Sequence, residues 1–190
     1  MWTGFIAACE NGHIEIVKLL LFHSKINNID LNARNGFGDT GFIQACANGK
    51  SDVVELLLEK SDKKNIDLNA KNGNHYTGFL YACLEGNIET VKLLLNHSGK
   101  QDIDVEARDI SGKTGFWWAC MMRNTELVKL LLDRTRSSIQ DADLKSAYRT
   151  ACVGGYKEIV QVLEDHSGIN LSAEKSEVLA VFARARRASH

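Results

Sequence analysis

Five cysteines and six histidines are the residues best able to do chemistry, so metal binding, disulfide formation and nucleophilic catalysis are the first possibilities to weigh. Cys9, Cys46, Cys83 and Cys120 recur every 37 residues and Cys152 follows after 32, each directly after an alanine. Thiols in one slot of successive stacked units stand apart by about the 8 to 10 Å of packed helices. Zinc needs its thiolates about 2.3 Å from one centre, and a disulfide needs Cα atoms within about 7 Å. Small buried core residues are the reading that remains, as is usual for free cysteine. His23, His97 and His166 share one repeat position, where other units carry Lys60 and Arg134. That exchange suits a positive group at a helix C-terminus and not a general base. His75 stands at a turn where neighbouring units have Gly38 and Gly112, which predicts exposure. The sequence offers no nucleophile with a base and an orienter and no strand-loop-helix phosphate loop, so no enzyme, metal or cofactor is expected.

The elements that carry these residues come from an internal repeat. Thr-Gly-Phe recurs at Thr3, Thr40, Thr77 and Thr114, and a leucine triplet closes each unit at Leu19, Leu56, Leu93 and Leu130. Threonine is placed to cap a first helix through its side-chain oxygen. Gly12, Gly49, Gly86 and Gly155 are placed to end it in the left-handed conformation, whereas Arg123 fills that slot in the fourth unit and predicts a locally altered turn. A second helix follows, with Val53, Val54, Leu56, Leu57 and Leu58 as its apolar residues. It exits through Asp30-Leu31-Asn32-Ala33, Asp67-Leu68-Asn69-Ala70 or Asp104-Val105-Glu106-Ala107 into a Gly- and Asn-rich tip such as Asn35 to Asp39, which has hairpin turn chemistry. A fifth unit is expected to begin its helix at Ser146.

This pattern resembles the ankyrin-repeat family, whose unit is a hairpin followed by two antiparallel helices. Thr-Gly-Phe-hydrophobe stands here for Thr-Pro-Leu-His, and cysteine for the second alanine of the family's Ala-Ala. The first two linkers, in segments such as Ser61 to Asn65, are about four residues longer than the family norm. The resemblance implies an all-α ankyrin-repeat solenoid of stacked helix-turn-helix units with short hairpin-like loops. It is read as a single domain over 1–190, with units at about 3–36, 37–73, 74–110, 111–142 and 143–172 and a capping helix at 176–188. Trp2 is expected to cover the first unit's end. Val178, Leu179, Val181 and Phe182 form the cap's apolar face, with Arg184, Arg186 and Arg187 near its C-terminus. The absence of a hairpin before the first helix suggests an excerpt of a longer array, and capped ends favour a monomer.

A net charge of −1 on 190 residues, with no proline, supplies no field for nucleic acid or an acidic membrane. No apolar run approaches the roughly 20 residues of a membrane span, and no secretory signal opens the chain. An intracellular, cytoplasmic protein is expected, with nuclear residence also open. Positions that vary while the frame stays constant are those free for recognition. They include Phe37, Asp39, Tyr76, Ile110 and Lys113 at the tips and Gln44, Tyr81 and Trp118 on the first helices. Asn48, Leu84, Glu85, Met121 and Met122 follow at the helix ends. The resemblance assigns these residues to a concave groove that binds an intracellular protein. An architectural spacer within a larger array is the alternative. Trp117, aligned with Ile6, Ile43 and Leu80, is expected to pack inward, and Trp118 and Tyr81 to be partly exposed. Ser189 fits a basophilic kinase acceptor pattern, and Asn32 and Asn69 match the family's hydroxylated asparagine, although turn formation is sufficient explanation for both asparagines.

Overall fold

The computed structural model describes residues 4–97, 102–135, 137–166, 171–178 and 180. The chain divides into two compact units, Met1–Gly115 and Phe116–His190. In the first unit lie α1 (Gly4–Asn11), α2 (Ile14–His23), α3 (Gly41–Ala47), α4 (Ser51–Lys64), α5 (Gly78–Glu85) and α6 (Ile88–Asn96). Helix α7 (Gly115–Met121) starts at the boundary and leads into α8 (Thr125–Thr135), α9 (Asp141–Gly154) and α10 (Lys157–His166). Residues 172–178 are also helical. Among the described residues no strand forms; one antiparallel bridge joins Arg108 and Thr114.

The Thr-Gly-Phe motif has a physical reason at each of its residues. Thr40 and Thr77 stand in extended backbone, and their hydroxyls accept the N–H of Ile43 and Leu80 at 3.2 Å, satisfying donors that the first helical turn leaves unpaired. The phenylalanine is buried, and the glycine lets it be. A Cβ on Gly41 would lie 2.8 Å from Phe5 Cε1 and 3.0 Å from Cys9 Sγ, and one on Gly78 would lie 2.9 Å from Cys46 Sγ and 3.0 Å from Phe42 Cε1. First helices α1, α3 and α5 therefore stack through a Phe and Cys on one helix and a bare glycine on the next. Second helices α2, α4 and α6 stack behind them, burying Val17, Leu21, Val54, Leu57, Val91 and Leu94. Each such side chain contributes about 1.5 to 3 kcal/mol when removed from water.

Four expectations meet a different local structure. The turn at Arg123 is not altered: its φ of +59° matches Gly12, Gly49, Gly86 and Gly155 at +61° to +74°, and Asn124 N–H donates to Ala119 O at 3.1 Å as His13 N–H does to Ala8 O at 2.9 Å. The left-handed conformation costs a non-glycine about 1 kcal/mol, and the guanidinium, 4.3 Å over the Tyr156 ring, offsets part of it. Ser61 to Lys64 do not form linker but extend α4, which Asn65 stops at φ +54°. Ser146 is not a cap but lies inside α9, which starts at Asp141 with Asp141 and Asp143 in its first turn, where the helix dipole favours negative charge. The closing helix runs through 172–178, where Lys175 N–H donates to Leu171 O at 3.0 Å, so Ser176 is interior to it. Trp2, Leu179, Val181, Phe182, Arg184, Arg186, Arg187 and Ser189 lie outside the described residues.

Candidate functional site

Each tip of the first unit is a short loop organised by one Asn or Asp side chain. Asn35 N–H donates to Asp39 O at 2.9 Å, and Asn35 Oδ1 accepts the N–H of Phe37 and Asp39 at 2.9 Å each. Asn72 repeats the pattern with Asn74 and Tyr76 at 3.0 and 2.9 Å, and Asp109 with Ser111 and Lys113 at 2.8 and 2.9 Å. Neighbouring tips are joined by Gly73 N–H to Phe37 O at 3.0 Å and Ile110 N–H to Asn74 O at 3.1 Å. With its backbone held this way, each tip turns Phe37, His75 or Ile110 out into solvent. Asn35, Asn72 and Asp109 were not singled out from sequence, although their spacing of 37 residues carries the signal.

Beneath the tips lies a polar chain that changes the standing of two sequence-selected residues. Asp39 was expected at a recognition surface but is buried, 3% exposed. Its Oδ1 accepts from Asn72 Nδ2 at 2.7 Å and its Oδ2 from Gln44 Nε2 at 2.9 Å. A buried carboxylate must be paired in this way, so Asp39 supports the surface from below and is out of a partner's reach. Gln44 is half-buried and committed to the same bond. Asn48 is exposed and caps α3 by donating to Gln44 O at 2.9 Å.

Tyr76 and Tyr81 are half-buried, with ring centroids 4.7 Å apart. Burial, followed by the Asp109 carboxylate and the neighbouring phenol, raises the Tyr76 pKa. Burial and the Asp39 carboxylate raise that of Tyr81. Both stay protonated at neutral pH, and the Tyr81 hydroxyl accepts from Asn72 Nδ2 at 3.5 Å. Leu84 is half-buried and Glu85 exposed at the end of α5, and Lys113 is half-buried at its tip. In the second unit, Trp118 is half-buried and meets Trp117 edge to face at 5.0 Å. Trp117, expected to pack inward, is half-buried with its indole nitrogen away from solvent. Met121 is half-buried and Met122 exposed.

The chemistry-bearing residues behave as packing groups. Cys9, Cys46, Cys83 and Cys120 are buried and Cys152 half-buried, all as free thiols. Burial pushes the Cys9 thiol up to about 12 and raises the other three buried thiols as well, so they stay protonated and unreactive. Among the described residues no group of three His, Cys, Asp or Glu side chains is placed to hold a metal ion, and no helix is long and apolar enough to cross a membrane. Asn32 donates to Asn65 O at 2.8 Å and accepts from Asp67 N–H at 2.8 Å. Asn69 does the same with Asp102 O and Asp104 N–H at 2.7 and 2.9 Å. Both amides are joints between consecutive repeats.

A family model described as ankyrin repeats (3 copies) matches residues 5–109 and 81–175. The chain belongs to the ankyrin-repeat family, whose members are generally protein-interaction modules. No curated protein matches the chain.

Proposed function

We propose that this chain binds an intracellular protein, without catalysis, through the hairpin tips and first helices of its repeats. One observation carries this reading: apolar Phe37 and Ile110 are held in solvent by hydrogen-bonded tips above the half-buried Tyr76 and Tyr81 pair. Ordered aromatic side chains bury large area at small entropic cost, which is why they dominate binding energy at interfaces. In the first unit Leu84, Glu85, Asn48 and Lys113 border this surface. In the second, Trp118, Met121 and Met122 supply an aromatic and adaptable thioether surface of their own. Asp39 and Gln44 act by holding Asn72 and the tips in position. Free thiols suit the reducing interior of a cell, and a net charge of −1 gives nucleic acid and acidic lipid nothing to attract them.

The test compares the wild-type chain with a triple variant, Tyr81→Ala, Trp118→Ala and Met122→Ala, as bait for cell proteins, after circular dichroism has established equal helical content. A specific partner should be lost from the variant, with affinity reduced at least about a hundredfold if these residues act as hot spots. An unchanged partner list would sink the surface assignment and favour a spacer within a larger array.

A further inference from the structure

The charges on the tips of the first unit, residues 34–39, 71–76 and 108–113, are sorted by sign. Their carboxylates, Asp39 and Asp109, are buried and bonded, Asp39 to Asn72 and Gln44 and Asp109 to the N–H of Ser111 and Lys113. The residues that open the first two tips, Arg34 and Lys71, are basic and exposed, and among the described residues neither stands in an ion pair. Arg34 Nη1 donates to Gly38 O at 2.9 Å and to Lys71 O, so its bonds go to neutral carbonyls and its charge is not cancelled. The Lys71 ammonium has no closing bond of that kind among the described residues; it keeps the charge of the slot without the structural task. Arg108 opens the third tip, but Glu106 stands two residues before it, so the positive centre lies on the first two. Of the residues assigned to the partner surface, Glu85 carries the one exposed carboxylate. It lies at the end of the eight-residue helix α5 away from the tips, about 12 Å at 1.5 Å per residue and beyond the roughly 8 Å over which salt screens charge.

His75, on the second tip, carries an independent mark. It holds φ +63° where Gly38 and Gly112 hold +85° and +74°, a conformation that costs a side chain energy glycine avoids. Its ring is exposed and makes no hydrogen bond, ion pair or ring contact among the described residues. Strain that no internal contact repays points outward, to something the ring meets when bound. The apolar neighbour of these groups is Phe37, whose slot is exposed in each tip, as Asn74 and Ser111 show. Its exposure is therefore a property of the repeat, and the tips are joined there, Gly73 N–H donating to Phe37 O.

We infer that the tips fit an acidic, partly apolar segment of a partner protein, an inference that rests on the tip surface proposed above and gives its partner a chemistry. Carboxylates of the segment meet Arg34, Lys71 and His75, and an apolar side chain between them lies against Phe37. A guanidinium offers a carboxylate several N–H donors in a fixed fork, and an imidazole N–H donates to the same group. Opposite charge across the contact selects the partner and its register more than it adds affinity, while the apolar contact supplies the area.

Selection of random dodecapeptides displayed on phage against the full chain tests it. Peptides that bind the wild type but not Phe37→Ser with Ile110→Ser, two exposed positions, are tip binders. They should be enriched in Asp and Glu around an apolar residue. A synthetic copy of the most enriched one should bind Lys71→Glu about fivefold more weakly, the scale of one exposed ion pair reversed, with unchanged circular dichroism. His75→Gly should weaken the same peptide while its urea midpoint stays as high as that of the wild type or rises, a pairing that a histidine kept for the fold would not give. Tip binders that are neutral or basic, or an acidic one indifferent to Lys71→Glu, overturn the acidic partner and leave the tip surface standing. A selection that yields no tip binder overturns both.

Discussion

Phe42 and Tyr148 occupy the same repeat position in the two units, and both are buried, yet their surroundings hold them in different ways. Phe42 lies under Gly78, where a Cβ would come within 3.0 Å of its ring. Tyr148 lines a cavity of about 520 Å³ between α9, α10 and the helix at 172–178, together with Cys152, Val160 and Val178. Its hydroxyl donates to Glu164 Oε1 at 2.7 Å, and Lys175 Nζ donates to the same oxygen at 2.9 Å. Glu174 on the closing helix is buried and stands 3.5 Å from Lys145 and 3.8 Å from Arg149. The first unit is thus held by steric fit and hydrogen-bonded tips, whereas the closing helix of the second adds charged side chains to its buried Val178 beside an open pocket. The spacing explains the change. Where the interval shortens from 37 to 32 residues, Thr-Gly-Phe becomes Ser146-Ala147-Tyr148, the tip gives way to an extra helical turn of α9, and polar side chains take over what close packing does elsewhere.

That contrast can be broken by measuring where stability resides. Phe42→Ala removes a ring from the close-packed stack and should destabilise the chain by about 4 kcal/mol, whereas Tyr148→Phe removes only a hydroxyl and should cost about 1 kcal/mol. Urea denaturation of both variants decides it; equal losses would erase the distinction. Asn72→Ala should follow at about 2 kcal/mol, because it takes the donor from buried Asp39 and the acceptor from two tip N–H groups. A loss confined to a few tenths would mean that the tips are held by backbone bonds alone.

The smallest effect should be local and dependent on pH. Lys175 and Tyr148 hold the Glu164 carboxyl below its ordinary value of 4.5. A carboxyl with a depressed folded-state pKa contributes stability that is present above the unfolded value and is lost as pH falls through the folded one. The protection of amides in 172–178, measured relative to intrinsic exchange at each pH, should therefore fall below about pH 4.5, while α3 and α5 lose no protection from this pair. Lys175→Met should remove much of that pH dependence. A pH response that is identical with and without Lys175 would sharpen the comparison the other way, assigning the closing helix to Glu174 and its two cations.

Much of this architecture could be read in one dimension. The interval of 37 residues predicts the helix pairs, Thr40 and Thr77 as caps, the left-handed glycines and the buried cysteines, because each depends on residues within one turn or on burial that every unit repeats. Arg123 was misread because glycine is the easiest occupant of a left-handed position but not the only one, and its stacking on Tyr156 is a contact across 33 positions of sequence. Ser61 to Lys64 looked like linker by comparison with a shorter family unit, while their own composition, free of proline and glycine, permits helix.

What the sequence by itself determined is the frame: the period, the alternation of first and second helices, and the class of protein that such a frame belongs to. The tertiary structure alone decided which face each variable residue presents. Asp39 and Phe37 sit two residues apart on one tip, and one is buried while the other is exposed, because Asn72, 33 residues further on, reaches back to the carboxylate of the first. Phe22 and Glu59 share a position, and nothing in the period tells that an apolar side chain there lies in solvent. Periodicity specifies the backbone and the average burial of a slot; the exposure of an individual side chain depends on the neighbour that stacking brings to it.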